Sequence, residues 1–392
     1  MQLHDYLQTK QTPPAWEQPL FFNLQEEADR TRLEALFESG TVRSVLDEID
    51  LAIAELFDIH NPSLKDTKTD EQVASFAHSL TGGATDTYGN WVYFPWSGDL
   101  VHFPPEADYR LLRTARNRNL ITQDEQQELA KGSVLIVGLS VGSNAVEMLL
   151  SESIGGTYIL VDMDIIEPTN LNRIKLAYQQ VGVHKVDAVA KRVSEIDPYV
   201  RQVHYREGLN EENLAEIFAT HQPDLIIDEM DDLSMKIKLR QAAANHKKAV
   251  LMATDDGENA ILDIERYDEN DGQQMFEGRL SDEILDKVLN GELSRPEIGM
   301  IIGKHFVGAD LVPLRMFESL REVGKTLPSW PQLAGAATLS GVSLAYAAKK
   351  ILLQQPLKPG RHMFDLDAEL DPMLEDEAHQ QQLAQYRQMF SK

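Results

Sequence analysis

The chemistry-bearing residues begin with Gly138-Leu-Ser-Val-Gly142-Ser, followed 24 positions after Gly138 by Asp162-Met-Asp164. Glycine lets a backbone approach a phosphate closely, and a helix starting in such a loop offers free N–H groups and a partial positive charge to an anion. An acidic residue about 20 positions further on is where dinucleotide-type folds hold a ribose hydroxyl. The loop alone is a degenerate pattern shared with plain turns, and Asp162 alone suits a helix cap. Together they point to a nucleotide. To this point a NAD-dependent dehydrogenase fits as well as an ATP enzyme.

Downstream come Ile165-Ile-Glu-Pro-Thr-Asn170-Leu-Asn-Arg173, Val181-Gly-Val-His-Lys185 and Ile227-Asp228-Glu-Met-Asp231-Asp232. This series resembles the ThiF/MoeB family, which includes the ubiquitin-activating enzymes. Its pattern of glycine loop, Asp-x-Asp, Asn-Leu-x-Arg, Gly-x-x-Lys and Asp-x-x-Asp is matched in order over about 130 residues. The resemblance implies an ATP site that adenylates a carboxylate. That reaction brings two anions together and expels pyrophosphate, so cations and a metal must absorb growing negative charge. Arg173, a planar fork of donors, and Lys185, a point charge, would clamp the triphosphate. Asp231 would hold Mg²⁺, a hard cation that prefers oxygen ligands. Asp162 and Asp164 would hold the ribose end, with Asn170 near the phosphates beside Gly138 and Gly142. Arg113-Thr-Ala-Arg116-Asn resembles the family segment whose second arginine reaches the phosphates of a partner subunit. Arg116 is therefore expected to act across a homodimer.

Departures from the family pattern narrow the function. An ungapped alignment puts Ser140, Val141 and Ser143 where the family has glycines, and a one-residue gap restores Gly142. The chain has no cysteine, which excludes a Cys₄ zinc site and a thioester on this chain. The acyl-adenylate must then pass to another nucleophile. Trp91-Val-Tyr-Phe-Pro-Trp, Asp231-Asp-Leu-Ser-Met-Lys and Ser329-Trp-Pro-Gln-Leu-Ala look like the ThiF-like half of bacterial proteins fused to a nitroreductase. Free-standing chains of this kind resemble the peptide-maturation enzymes of microcin C and pantocin A biosynthesis, which implies a precursor peptide or small protein as substrate. A tRNA-modifying dehydratase of the same family and a non-catalytic nucleotide-binding scaffold are the alternatives.

Formal net charge is −26, a field that repels a phosphate backbone and disfavours a nucleic-acid partner. The start, MQLHDYLQTK, has no basic segment followed by an apolar one, and no apolar run approaches the ~20 residues of a membrane span. These features read as a cytoplasmic chain without signal peptide or membrane contact.

The elements that must position these residues follow from periodicity. From Val134 onward, strands at Val134–Val137, Tyr158–Val161, Val203–Tyr205, Leu225–Asp228 and Val250–Ala253 alternate with helices at Gly142–Ser153, Lys185–Ile196, Glu211–Ala219 and Ser234–Asn245. Such alternation predicts an α/β, Rossmann-like, mostly parallel sheet with flanking helices. Residues 1–108 read as a smaller, mainly helical extension, with helices in Arg30–Phe57 broken near Ser39–Gly40. A strand pair is expected at Trp91–Phe94 and Leu100–Phe103. Residues 109–364 form the adenylation domain, which includes an irregular stretch from Ile261 and a small-residue helix at Leu333–Leu353. Lys304, His305 and Arg315 lie in the irregular stretch and are read as structural rather than substrate-binding. Residues 365–392 read as an acidic, solvated tail.

Overall fold

The computed structural model describes residues 13–308 and 311–390, so the reading of the first ten residues as no signal peptide lies outside the described residues. The first strands, β1 (Leu20–Phe22), β2 (Ser44–Leu46), β3 (Asn90–Phe94) and β4 (Asp99–Phe103), form a sheet in the order β1-β3-β4-β2. Around it lie α1 (Glu27–Glu38), α2 (Ile49–His60) and α3 (Asp70–Thr81). The expected helix break and the β3–β4 hairpin are present. β1, β2 and α3 were not anticipated.

The chain then runs through α4 (Glu106–Thr114) and α5 (Gln123–Leu129) into the large sheet. Its elements are β5 (Ser133–Val137), α6 (Gly142–Ser151), β6 (Thr157–Val161), α7 (Lys185–Ile196), β7 (Arg201–Tyr205), α8 (Glu211–Glu216), β8 (Leu225–Asp228), α9 (Leu233–His246) and β9 (Ala249–Asp256). The order is β11-β10-β9-β8-β5-β6-β7, where β10 is Asn259–Glu265 and β11 is Gly360–Phe364. β9, β8, β5, β6 and β7 run parallel, and β10 and β11 are antiparallel additions at one edge. Val134–Val137 and Tyr158–Val161 are at most 2% exposed, as buried parallel strands should be.

Register decides where chemistry can happen. Val137 of β5 lies level with Val161 of β6 and with Asp228 of β8. Three strands therefore end together, and the loops that follow them share one crevice, the usual ligand position in such sheets.

Between β10 and β11 come α10 (Asp282–Leu289), α11 (Arg295–Ile301), α12 (Leu314–Leu320) and α13 (Ala334–Leu352). The small residues of α13 let it touch α6 directly. A Cβ on Gly341 would meet the Asn144 main chain at 2.6 Å. After β11 come α14 (Leu366–Leu370) and α15 (Glu377–Phe390). The tail is not simply solvated. Leu383 and Tyr386 pack on the cluster of Val307, Val312, Met316 and Phe317, and the Tyr386 and Phe317 rings stack at 5.9 Å.

At the β9–β10 turn, Asp256 is fully buried and neither carboxylate oxygen has a hydrogen-bond partner among the described residues. Burial, then the charges of Asp365 and Asp367, push its pKa from 3.8 to about 7. A raised folded pKa means the native state keeps a proton that the unfolded chain releases. Stability is therefore full below the unfolded pKa, falls as pH rises from about 4 to 7 and then levels off. Asp256→Asn should be more stable than wild type at pH 8, by roughly 2–4 kcal/mol, with the gain vanishing near pH 4. Urea melts across that range give the answer, and parallel pH profiles for the two proteins would contradict it.

Candidate active site

The glycine loop follows β5, and its first residue is fixed by a close approach. Gly138 has φ +85°, and a Cβ there would sit 2.3 Å from the carbonyl oxygen of Glu229, in the turn after β8. Only glycine fits both the backbone angle and the contact. Gly142 opens α6, where an added Cβ would meet Ile136 at 3.2 Å and the Glu229 side chain at 3.6 Å. The loop is thus a bare strip of backbone at a helix N-terminus, although serine and valine replace some expected glycines.

Asp162 directly follows β6 and is 7% exposed. Its Oδ2 accepts the Leu139 N–H at 2.7 Å and its Oδ1 accepts the Asp164 N–H at 2.8 Å. This carboxylate therefore ties the glycine loop to the loop after β6. Burial raises its pKa, while Lys185 and the two N–H groups limit the rise. Lys185, at the start of α7 and 7% exposed, donates to Asp164 Oδ2 at 2.7 Å and stands 3.8 Å from Asp162 Oδ2. A buried ammonium needs such partners. Because Asp164 is 64% exposed in its side chain, that partner can be exchanged for an incoming anion.

Arg173 lies between the loops. Its Nε donates to Ser140 Oγ at 3.3 Å, and its NH1 donates to Thr169 O at 3.2 Å and Asn172 Oδ1 at 3.0 Å. Burial lowers its pKa, opposed by the nearby charges of Asp255 and Asp231. Asp231 is exposed in the turn after β8 and faces this arginine electrostatically. Gly138, Gly142, Asp162, Asp164, Lys185, Arg173 and Asp231 are thus gathered around one crevice.

Two expected residues behave differently. Asn170 is buried and acts locally, its Oδ1 accepting the Glu167 N–H at 3.0 Å. Arg116 is exposed in the loop after α4, without a polar partner among the described residues and without a bond to the crevice. Lys304 and Arg315 are exposed, and no hydrogen bond among the described residues links them or His305 to the site.

Sequence reasoning missed a second ring. Asp255 accepts from Ser340 Oγ at 2.9 Å and, more weakly, from Gln332 Nε2 at 3.5 Å, while Asn172 Nδ2 donates to Gln332 O at 2.7 Å. Burial raises the Asp255 pKa, and Ser340 and Arg173 oppose it. Glu229 accepts the Ala253 N–H at 2.7 Å, and burial holds its carboxyl well above the usual range. The available signal was the placement of both acids at the carboxyl ends of predicted strands.

The bare loop fits a phosphate chain, and the cations fit its charge. Among the described residues no group of three or more acidic or histidine side chains could by itself hold a metal. Asp231 suits the other mode, in which one carboxylate and the phosphates share Mg²⁺. The hollow of about 620 Å³ between α2, α4 and α5 is lined by none of these residues.

Residues 114–257 match the ThiF family. The chain carries a ThiF family domain. A Mycobacterium tuberculosis protein described as uncharacterized is 36% identical over 281 residues, 72% of this chain and 38% of that protein. The molybdopterin-synthase adenylyltransferase of Escherichia coli is 31% identical over 139 residues, 34% of this chain and 54% of that enzyme. The chain thus spans less than two thirds of either relative. Among solved structures, E. coli tRNA N6-threonylcarbamoyladenosine dehydratase aligns at 20% identity and a TM-score of 0.45, covering 63% of this chain and 96% of that one. Among the described residues no helix is long and apolar enough to cross a membrane.

The Gly138 contact gives a test within the ThiF domain. Gly138→Ala should lower stability by more than about 2 kcal/mol and weaken ATP binding, because a clash adds to backbone strain. Gly182→Ala is the control. It has φ +89° but open space around its Cβ position, so it should lose only about 1–2 kcal/mol of strain. Thermal melts with and without ATP compare them, and equal losses would contradict the close-approach argument.

Proposed function

We propose that this chain is an ATP- and Mg²⁺-dependent adenylyltransferase that activates a carboxylate on a peptide or small protein. The carboxylate oxygen attacks the α-phosphorus, the bond to the β-phosphate oxygen breaks, and pyrophosphate leaves with an acyl-adenylate formed. A second nucleophile, supplied by the substrate or a co-substrate, then displaces AMP.

One observation carries the reading. The glycine loop, Asp162, Lys185 and Arg173 converge on one crevice and are bonded into it in the family's order. Lys185 and Arg173 would neutralise the triphosphate, the loop N–H groups would meet its oxygens, and Asp162 would take a ribose hydroxyl. Asp231 would hold Mg²⁺, which supplies charge neutralisation between phosphate oxygens. Preorganised cations of this kind lower the barrier because they need no reorganisation as charge grows.

The relative named as a molybdopterin-synthase adenylyltransferase, a name that specifies a protein, supports a protein or peptide carboxylate over a small metabolite. We place the chain in ribosomal-peptide maturation, with residues 1–108 as the substrate-recognition element and 109–364 as the adenylation unit. We further propose a homodimer. Arg116 is left outward without a partner among the described residues, and α13 presents exposed Val342 and Tyr346 four positions apart. The charge of −26 argues against tRNA as the substrate.

Chromatography of ATP, Mg²⁺ and a small-peptide extract of the host tests the proposal. AMP should form only with the extract. Asp231→Ala and Arg173→Ala should each cut its formation at least about 100-fold while keeping a native melt. Near-native turnover by either variant would overturn its assigned role, and AMP released only with added tRNA would replace the peptide by an RNA substrate.

A further inference from the structure

A buried ionic cluster lies outside the crevice and beneath it. Asp228, last residue of β8, is fully buried, as are Arg240 of α9 and Glu265 of β10 to within 1%. Arg240 NH1 donates to Asp228 Oδ2 at 2.5 Å and Arg240 Nε donates to Glu265 Oε2 at 2.6 Å. Lys236, one turn earlier on α9, donates to Asp228 Oδ1 at 3.0 Å. Two cations thus meet two carboxylates, and the cluster is neutral. Burial alone would raise the Asp228 pKa, but Lys236 and Arg240 hold it below the ordinary range.

A neutral buried cluster of this kind is rarely the most stable filling of its space. Apolar residues of similar size often do as well or better, so such a cluster suggests another role. Here the geometry supplies one. Asp228 Oδ1 also accepts the Met230 N–H at 3.3 Å, within the turn that carries Asp231. The same turn presents the Glu229 carbonyl against Gly138. Asp228 therefore forms the floor of the Asp228–Asp231 turn, and Arg240 holds that floor from below.

A strained segment holds Arg240 in turn. Phe276 and Glu277 adopt φ +51° and +56°, a conformation that a bulky residue keeps only where its surroundings over-determine it. Phe276 N–H donates to Glu265 Oε1 at 2.6 Å, Tyr267 OH donates to the same oxygen at 2.9 Å, and the Phe276 ring lies 4.1 Å from the Arg240 guanidinium. A surrounding that over-determines one arginine to this degree fixes its position rather than its charge alone. Lysine in its place could satisfy only one of the two acids, because it lacks the planar fork.

We propose that Arg240 is a positioning residue that, through Asp228, sets the Asp228–Asp231 turn so that Asp231 meets the metal of the bound nucleotide. This rests on the reading that Asp231 holds Mg²⁺. Among the described residues the cluster makes no hydrogen bond to the glycine loop, Lys185 or Arg173, so its effect should fall chiefly on the metal that Asp231 holds.

Calorimetric titration of the full chain with ATP, with and without Mg²⁺, separates the possibilities. Arg240→Lys should raise the Kd for MgATP about tenfold, the low end for residues that orient a metal ligand, and leave metal-free ATP within twofold. Glu265→Gln, which keeps the guanidinium but loosens it, should act in the same selective direction by about threefold, and it decides the matter if Arg240→Lys does not fold. Equal weakening with and without Mg²⁺, or no change in either, would overturn the proposal. Asp231→Ala is the companion measurement. If it leaves MgATP binding unchanged, the metal assignment falls and this inference with it. If it weakens binding while both cluster variants do not, only the positioning role falls.

Discussion

The contact of Gly138 with the Glu229 carbonyl is the constraint on which the crevice depends. Because β5, β6 and β8 end at one level, the loops after them compete for the same few ångströms. A side chain at position 138 would separate the loops by at least its own radius. With none there, the glycine loop lies against the turn carrying Asp231, and Asp162 pins the loop from the other side through the Leu139 N–H. Main-chain donors and acidic side chains thus come to face one space.

The second organising feature is the pairing of charge. A chain of net charge −26 has no general attraction for a nucleotide, so the crevice must offer cations of its own among the acids Asp162, Asp164 and Asp231. Lys185 and Arg173 supply them. Each is kept in place by acceptors, Asp164 for the lysine and Ser140, Thr169 and Asn172 for the arginine. Desolvation penalises both charges, and a triphosphate is an effective replacement for the water lost. The outer ring of Asp255, Gln332, Asn172 and Ser340 closes the arrangement with chain segments remote in sequence.

Much of the parallel sheet was legible because its strands are short, apolar and β-branched, and each is followed by a helix of clear period. Lys185–Ile196 and Leu225–Asp228 were read to the residue. β10 was not, because Asn259, Asp263 and Glu265 interrupt its apolar pattern. They are buried, and their counter-charges come from distant residues, Arg361 for Asp263 and Arg240 for Glu265. The same reason hid Asp255 and Gln332 from the candidate site, since sequence spacing does not show pairings across about 80 residues. What local spacing could show, the glycine loop with Asp162, Arg173 and Lys185, is what the fold brings together. Asn170 was placed by motif, but its carboxamide is spent on a turn of its own.

The most direct test of the account is nucleotide selectivity in the wild-type chain. Titration calorimetry with MgATP and, separately, with NAD⁺ compares the two ligands that this type of crevice accepts. The account predicts one ATP per chain bound in the micromolar range and no NAD⁺ binding, because Lys185 and Arg173 are set for a triphosphate. NAD⁺ binding with ATP excluded would contradict it, and so would ATP binding left intact in Lys185→Ala.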